Sequence, residues 1–269
     1  GTLDGQHSMS STPPEMPATG SGDDPGQARP DPIEVLKKAI AANPDNHAAL
    51  HRLGCLFVER GDLSQGLDLV ARAVRVRPDY ADGHVDLGVI LRRAGQVDEA
   101  IKAYRAAIKI APDHPGALYN FANLLKAEGQ FEEAAKLYQR AIEGNSNYLG
   151  AYNNLGLTFH ELGRYPEAIR NYERGLSLAK DNPELHNNLG NALKELGRPG
   201  DALACYRRAV ELRPNYAEAH SNMAVVHQQQ DEPEKAAPAF RLALAADPGN
   251  CMTLNGLGKA LLEQGDNGG

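Results

Sequence analysis

Residues 186–198 have the sequence "HNNLGNALKELGR", and a near copy, "YNNLGLTFHELGR", occupies residues 152–164. The two copies start 34 residues apart, and both place adjacent asparagines inside a pattern of apolar residues with helical spacing. Asparagine is a poor helix former. The pair therefore raises two questions: whether the spacing continues along the chain, and what the asparagines do.

The 34-residue spacing continues along most of the chain. The small residue of the "LG" pair recurs without an insertion as Gly54, Gly88, Ala122, Gly156, Gly190, Ala224 and Gly258. An aromatic position follows the same step as Tyr104, Tyr138, Tyr172, Tyr206 and Phe240. A fixed period of this length, sustained over so many units, predicts a solenoid of stacked repeats.

Each repeat is predicted to be a pair of antiparallel helices. Leu189, Gly190 and Leu193 fall on one stripe of a first helix, which we expect to be buried. Gly197 can end this helix because glycine readily adopts a positive φ. A second helix is expected over about residues 200–212. One hairpin cannot bury both of its faces, so it stacks on its neighbours.

This pattern resembles the tetratricopeptide repeat (TPR) family, whose period is 34 residues and whose signature contains the same Leu-Gly, aromatic, small and proline positions. The resemblance covers residues 32–265 and implies an all-α fold, a right-handed TPR superhelix (α-solenoid) of antiparallel helix hairpins. We expect fourteen helices, in a half repeat at 32–46, six full repeats over 47–250 and a half repeat at 251–265. The full repeats span 47–80, 81–114, 115–148, 149–182, 183–216 and 217–250.

Three parts of the chain depart from the pattern. Residues 1–31 are rich in Pro, Gly and Ser with few aliphatic residues, so we expect a disordered tail that includes a tag remnant. Pro238 lies inside a second helix and is expected to distort it. The last helix stays apolar where a terminal repeat normally presents a polar face. We therefore expect residues 266–269 to be a truncated end, and the apolar helix to offer a surface for homo-oligomers.

Composition argues against several function classes. The chain carries 28 Lys and Arg against 35 Asp and Glu, a net charge of −7, whereas nucleic-acid binders usually carry a basic surplus. No apolar run approaches the length of a membrane span. We therefore expect no nucleic-acid partner and no membrane insertion. The three cysteines are far apart and form no CxxC pair, which is typical of reduced thiols and favours a cytoplasmic protein.

No residue pattern indicates catalysis, a cofactor or a metal. No Gly-rich loop is followed by Lys and Ser or Thr, and no nucleophile elbow occurs. No His/Cys cluster with metal-ligand spacing is evident. His84, His186 and His220 share one position of the repeat and are expected to fill a half-buried aromatic site. We predict no catalytic residues, no metal and no cofactor for this chain.

The asparagines lie on the face of the first helix that is opposite the apolar stripe. At about 100° per residue, Asn187, Asn188 and Asn191 lie roughly 110° or more from the centre of the stripe, so we predict that they stand outside the hairpin core. The family resemblance implies that first helices line a concave groove. A carboxamide offers two donors and an acceptor without charge, and can therefore hydrogen-bond the backbone of an extended peptide.

The sequence thus predicts a peptide-binding groove for a polypeptide segment of another protein. One position of the repeat carries four consecutive asparagines, which we call the asparagine ladder: Asn120, Asn154, Asn188 and Asn222. Neighbouring positions complete the predicted peptide-binding set with Asn153, Asn187, Asn123, Asn191, Tyr119, Lys126 and Lys194. Asp86 and Arg52 interrupt the ladder in the first two repeats.

Other interpretations stay open at this point. The asparagines can instead form inter-repeat hydrogen bonds, or have no role. The ladder also resembles the TPR region of O-GlcNAc transferase and its bacterial relatives, which implies the substrate-recognition part of a longer glycosyltransferase. A third alternative is a self-assembly scaffold. A carboxylate clamp of the co-chaperone type is rejected because its first positions are occupied by His51, Cys55 and Asp86.

Overall fold

The structure is a computed structural model that describes residues 31–266. In this part of the chain the secondary structure consists of fourteen α-helices without a β-strand. The predicted tail at 1–31 and the predicted end at 266–269 lie outside the described residues, except for Asp31 and Asp266. None of the helices in this range is long and apolar enough to span a membrane.

The described helices divide into two compact units, with the boundary between residues 128 and 129. The described helices of the first unit are α1 (Pro32–Ala42), α2 (His47–Glu59), α3 (Leu63–Val76), α4 (Ala81–Arg93), α5 (Val97–Ile110) and α6 (Pro115–Ala127). Those of the second unit are α7 (Phe131–Gly144), α8 (Leu149–Glu161), α9 (Tyr165–Leu178), α10 (Pro183–Glu195), α11 (Pro199–Leu212), α12 (Ala217–Gln229), α13 (Pro233–Ala246) and α14 (Cys251–Asp266). The predicted all-α architecture of fourteen helices is confirmed.

Local sequence sets where the helices begin and end. Several begin at a residue whose side chain accepts a backbone N–H, as Asn182 does from Leu185 at 2.9 Å. In the turn between a first helix and the second helix that follows it along the chain, φ is positive at Gly61, Gly95, Gly129, Gly163 and Gly197. Asp231 occupies the same position in the last full repeat with a φ of 58°, a conformation that disfavours a side chain. After it, α13 runs without a break through the exposed Pro238.

An aromatic ring of the second helix recurs from the second full repeat onward. These rings are fully buried or nearly so, and they belong to Tyr104, Tyr138, Tyr172, Tyr206 and Phe240, whereas the first full repeat has the buried Val70 at this position. In three hairpins the ring packs directly on a glycine of the first helix. A Cβ at Gly88 would lie 2.6 Å from the ring of Tyr104, one at Gly156 would lie 2.4 Å from the ring of Tyr172, and one at Gly190 would lie 2.5 Å from the ring of Tyr206. The glycine therefore sets how closely these three pairs of helices approach.

First helices also pack on the first helices of neighbouring repeats. In the second unit, α10 contacts α11 of its own hairpin and α8, α9 and α12 of the adjacent repeats. Its buried residues accordingly extend beyond the predicted stripe and include Leu185, Asn187 and Ala192. A first helix is thus covered on its flanks as well as on the side that faces its own hairpin.

Candidate functional site

The asparagines of neighbouring repeats are hydrogen-bonded to each other along a diagonal. Asn188 Nδ2 donates to Asn153 Oδ1 at 3.0 Å, and Asn222 Nδ2 donates to Asn187 Oδ1 at 2.9 Å. Each donor lies 35 residues after its acceptor, so an asparagine at the ladder position of one repeat meets the asparagine that precedes the ladder position in the repeat before it. We call these contacts the inter-repeat pairs. They are the inter-repeat hydrogen bonds that the sequence left open as an alternative.

Asn187 is fully buried, so the prediction that it lies on the open groove face is wrong. Its side chain has 0% relative exposure, and its Nδ2 donates to Glu218 Oε1 at 2.9 Å while its Oδ1 accepts from Asn222. The physical reason is the contact between α10 and α12. A helical wheel drawn for one hairpin leaves this flank open to water, whereas the next first helix covers it.

Asn191 also points towards protein rather than towards a groove. Its Oδ1 accepts a hydrogen bond from the hydroxyl of Tyr206 at 2.8 Å. Leu157 stands at the same position one repeat earlier, and the buried hydroxyl of Tyr172 has no hydrogen-bond partner among the described residues. Asn191 therefore satisfies a buried tyrosine of its own hairpin, which is a structural role.

The other predicted residues are half-buried, apart from one. In the second unit α8, α10 and α12 carry the half-buried Asn153, Asn154, Asn188, Lys194 and Asn222. In the first unit α6 carries all four predicted residues, namely the buried Asn120 and the half-buried Tyr119, Asn123 and Lys126. Each unit thus brings its own predicted residues together on first helices. Peptide binding by these residues stays a prediction.

In the first unit an ionisable pair occupies the place of an inter-repeat pair. His51 Nε2 lies 2.8 Å from Asp86 Oδ2, with the same separation of 35 residues. Cys55, one turn after His51, places its Sγ 3.5 Å from His51 Nε2 and 3.9 Å from Asp86 Oδ2. Tyr80 brings its hydroxyl within 2.9 Å of the other ring nitrogen, Nδ1. The relative exposures of His51, Cys55 and Asp86 are 9%, 4% and 1%.

Sequence reasoning missed this cluster. The ligand atoms of His51, Cys55 and Asp86 lie within 4.8 Å of one another, so the statement that no His/Cys cluster has ligand spacing is wrong. A signal was present: His51 and Cys55 have i,i+4 spacing, and Asp86 follows His51 at the 35-residue diagonal. Comparing only residues that are 34 positions apart does not bring His51 and Asp86 together, because they are 35 positions apart.

The Cys55 thiol is not an activated nucleophile. Burial, with a further contribution from the Asp86 carboxylate, raises the pKa of Cys55 to about 12. Burial likewise raises the pKa of Tyr80 to about 12. A reactive cysteine needs a lowered pKa and a thiolate at neutral pH. The cluster therefore lacks the electrostatics of a cysteine-dependent catalytic site.

The three histidines that share one repeat position form hydrogen bonds with the loop that precedes their helix. In His84, His186 and His220, Nε2 donates to the backbone carbonyl six residues earlier at 2.8–3.0 Å. His220 is buried, and the other two are half-buried. Each ring therefore joins the start of a first helix to the loop that precedes it.

Comparison of the sequence with models of known protein families identifies the family of this chain. Models described as TPR repeat or tetratricopeptide repeat match residues 51–115, 91–155, 156–197, 190–231 and 217–250. The chain belongs to the tetratricopeptide repeat family. TPR arrays are typically non-catalytic, and the repeats support the role of a protein-interaction module for this one.

Solved TPR structures share the fold at low sequence identity. YrrB, described as a TPR protein with an unusual peptide-binding site, is 19% identical with a TM-score of 0.60, covering 69% of this chain and 96% of that chain. Pseudomonas aeruginosa pilF is 20% identical with a TM-score of 0.67, covering 81% and 97%. A chain of the APC/C hetero-tetramer Cut9–Hcn1 is 18% identical with a TM-score of 0.67, covering 86% and 45%. The predicted TPR solenoid fold is confirmed. A comparison with curated protein sequences gives no match.

Proposed function

We propose that this TPR array binds an extended polypeptide along its first helices, with paired asparagines as ligands of the peptide backbone. The observation that carries the proposal is the pair formed by Asn153 and Asn188, whose side chains are both half-buried. The pair uses one N–H of Asn188 and one lone pair of Asn153. A carboxamide has two donors and an acceptor. Oδ1 of Asn188 and Nδ2 of Asn153 therefore remain for a peptide N–H and a peptide C=O.

The inter-repeat pair also orients these groups in advance. Because Asn188 is hydrogen-bonded to Asn153, both side chains lose less rotational freedom when a ligand binds. Asn222 presents a further Oδ1 one repeat later, held by its bond to the buried Asn187. One neutral hydrogen bond contributes only about 1 kcal/mol, so several repeats must act together. In this arrangement Asn187 is a positioning residue and does not contact the peptide.

The test uses the whole chain and a peptide selected from a random display library. Affinity is measured by fluorescence anisotropy for the wild type and for the double variant Asn153→Ala/Asn188→Ala. Loss of two hydrogen bonds should weaken binding about 30-fold, because about 1.4 kcal/mol corresponds to a factor of ten. The matched control is Asn171→Ala, which removes a half-buried carboxamide from the second helix α9, where Nδ2 donates to the carbonyl of Glu167. This control should bind like the wild type.

Two results would overturn the proposal. One is an unchanged affinity of the double variant when circular dichroism shows a folded protein. The other is an equal loss of affinity in Asn171→Ala, which would place the peptide elsewhere or make the effect one of general stability.

Two alternative functions stay predictions. The exposed apolar residues Met252, Leu254 and Leu262 of α14, with relative exposures of 87%, 49% and 73%, favour self-association of this helix. Solution mass measured against concentration tests this, and a strict monomer contradicts it. The glycosyltransferase alternative is tested by the sequence that follows Gly269 in the native gene.

A further inference from the structure

We propose that His51, Cys55 and Asp86 form a zinc site that joins the first two full repeats. Their donor atoms are His51 Nε2, Cys55 Sγ and Asp86 Oδ2, one nitrogen, one sulfur and one oxygen. These are the three donor types that Zn²⁺ takes from proteins. Three protein ligands leave the fourth tetrahedral position for a water molecule.

The distances between the donor atoms lie within about half an ångström of those that a tetrahedral zinc ion requires. Bonds of about 2.0–2.3 Å place neighbouring ligand atoms roughly 3.3–3.6 Å apart. The separations here are 2.8 Å between His51 and Asp86, 3.5 Å between His51 and Cys55, and 3.9 Å between Cys55 and Asp86. Side-chain rotations that move the donors by about half an ångström bring all three into the range.

Rigid elements carry the donors. His51 and Cys55 are one turn apart on α2, so they lie on the same face of the helix. Asp86 comes from α4, which packs against α2. A metal ion bound here would link two first helices of adjacent repeats. In the second unit the same link is made by neutral asparagine pairs.

The balance of charges favours a Zn²⁺ ion at this buried site. Zn²⁺ with one thiolate and one carboxylate has no net charge, so the buried position of Asp86 is compatible with it. On binding, the Cys55 thiol releases its proton to solvent, and His51 binds as neutral imidazole through the Nε2 lone pair. The ring proton then resides on Nδ1 and is donated to the Tyr80 hydroxyl, 2.9 Å away. Metal-bound histidines usually donate the second ring N–H to an oxygen acceptor, and the Tyr80 hydroxyl oxygen takes that place here.

The experiment titrates the chelator-treated full chain with Co²⁺ as a spectroscopic substitute for Zn²⁺. We expect one equivalent to produce a thiolate-to-cobalt charge-transfer band together with visible bands of tetrahedral cobalt, and one equivalent of Zn²⁺ to remove both. Cys55→Ser should abolish the charge-transfer band. Tyr80→Phe should keep the band and weaken binding about 10- to 100-fold.

Two variants serve as matched controls. Cys205→Ser/Cys251→Ser removes the other two thiols of the chain and should leave the titration unchanged. His51→Asn/Asp86→Asn rebuilds the pair of asparagines that the chain uses at positions 187 and 222, so this variant should fold and bind no cobalt at the site. The absence of a charge-transfer band in the wild type, its persistence in Cys55→Ser, or equal binding by the double asparagine variant would each overturn the proposal.

Discussion

Replacing Asn187 by alanine should destabilise the second unit although asparagine is a poor helix former. The side chain is fully buried and takes part in two hydrogen bonds, one to the carboxylate of Glu218 and one from the amide of Asn222. Alanine has the higher helix propensity, by up to roughly 0.7 kcal/mol, and would be the better residue if the side chain faced water. The sign of the change therefore separates a structural asparagine from a surface one.

The magnitude follows from the two contacts. A neutral hydrogen bond contributes about 0.5–1.5 kcal/mol and one to a charged group about 1.5–3 kcal/mol. Both partners can regain water, since Asn222 is half-buried and Glu218 exposed, which reduces the penalty of leaving them unpaired. After subtraction of the helix-propensity gain, we expect Asn187→Ala to lower the free energy of unfolding by about 2 kcal/mol. Asn188→Ala loses one neutral bond at a half-exposed position and should cost less than about 1 kcal/mol.

The assay is urea unfolding of the full chain followed by circular dichroism, with hydrogen exchange to locate the change. Repeat arrays open in parts, so exchange should increase mainly in α10 and α12. The control Asn187→Leu keeps most of the volume and should be destabilised as well, because its partners lose the same bonds. A stability within about 0.5 kcal/mol of the wild type for Asn187→Ala, or an equal loss for Asn188→Ala, would contradict a structural role for the Asn187 side chain.

Three further predictions concern other parts of the second unit. Asp231→Gly should raise the free energy of unfolding by about 0.5–1 kcal/mol in a urea titration, because glycine adopts the positive φ of this turn without strain; an unchanged value would contradict it. Asn191→Leu should cost about 1–2 kcal/mol by leaving the Tyr206 hydroxyl unpaired, and adding Tyr206→Phe should recover most of this loss; additive losses would argue against their hydrogen bond. Leu254→Lys/Leu262→Lys should abolish any concentration-dependent increase in mass seen by light scattering, and persistence of the increase would exclude α14 as its cause.

The sequence was sufficient for the helices and their pairing because those depend on local patterns. The glycine turns and the apolar stripes lie within one hairpin, the 34-residue step repeats them along the chain, and together they predicted fourteen helices correctly. The same reasoning failed for Asn187 and Asn191, whose partners are Glu218, Asn222 and Tyr206. A wheel for one helix contains no other helix, so it cannot distinguish water from the second helix of the same hairpin, which carries Tyr206, or from the next repeat, which carries Glu218 and Asn222.

The missed cluster has a related explanation. His51 and Asp86 occupy different positions of the repeat and meet only because adjacent first helices are offset by one residue relative to the period. Comparing residues separated by 35 instead of 34 would have placed His51 beside Asp86 and Asn187 beside Asn222. This one-residue offset arises from the packing of adjacent first helices. It is not visible when only equivalent positions of the repeats are compared.

The 35-residue diagonal has a consequence for how such a chain can gain or lose repeats. Excision of residues 81–114 would leave every helix boundary in phase, yet it would replace Asp86 by Asn120 as the partner of His51. Unequal crossover between repeats thus preserves the period while exchanging the residues that meet across each junction. Natural selection on these diagonal contacts would then act on the order of the repeats and not only on their number.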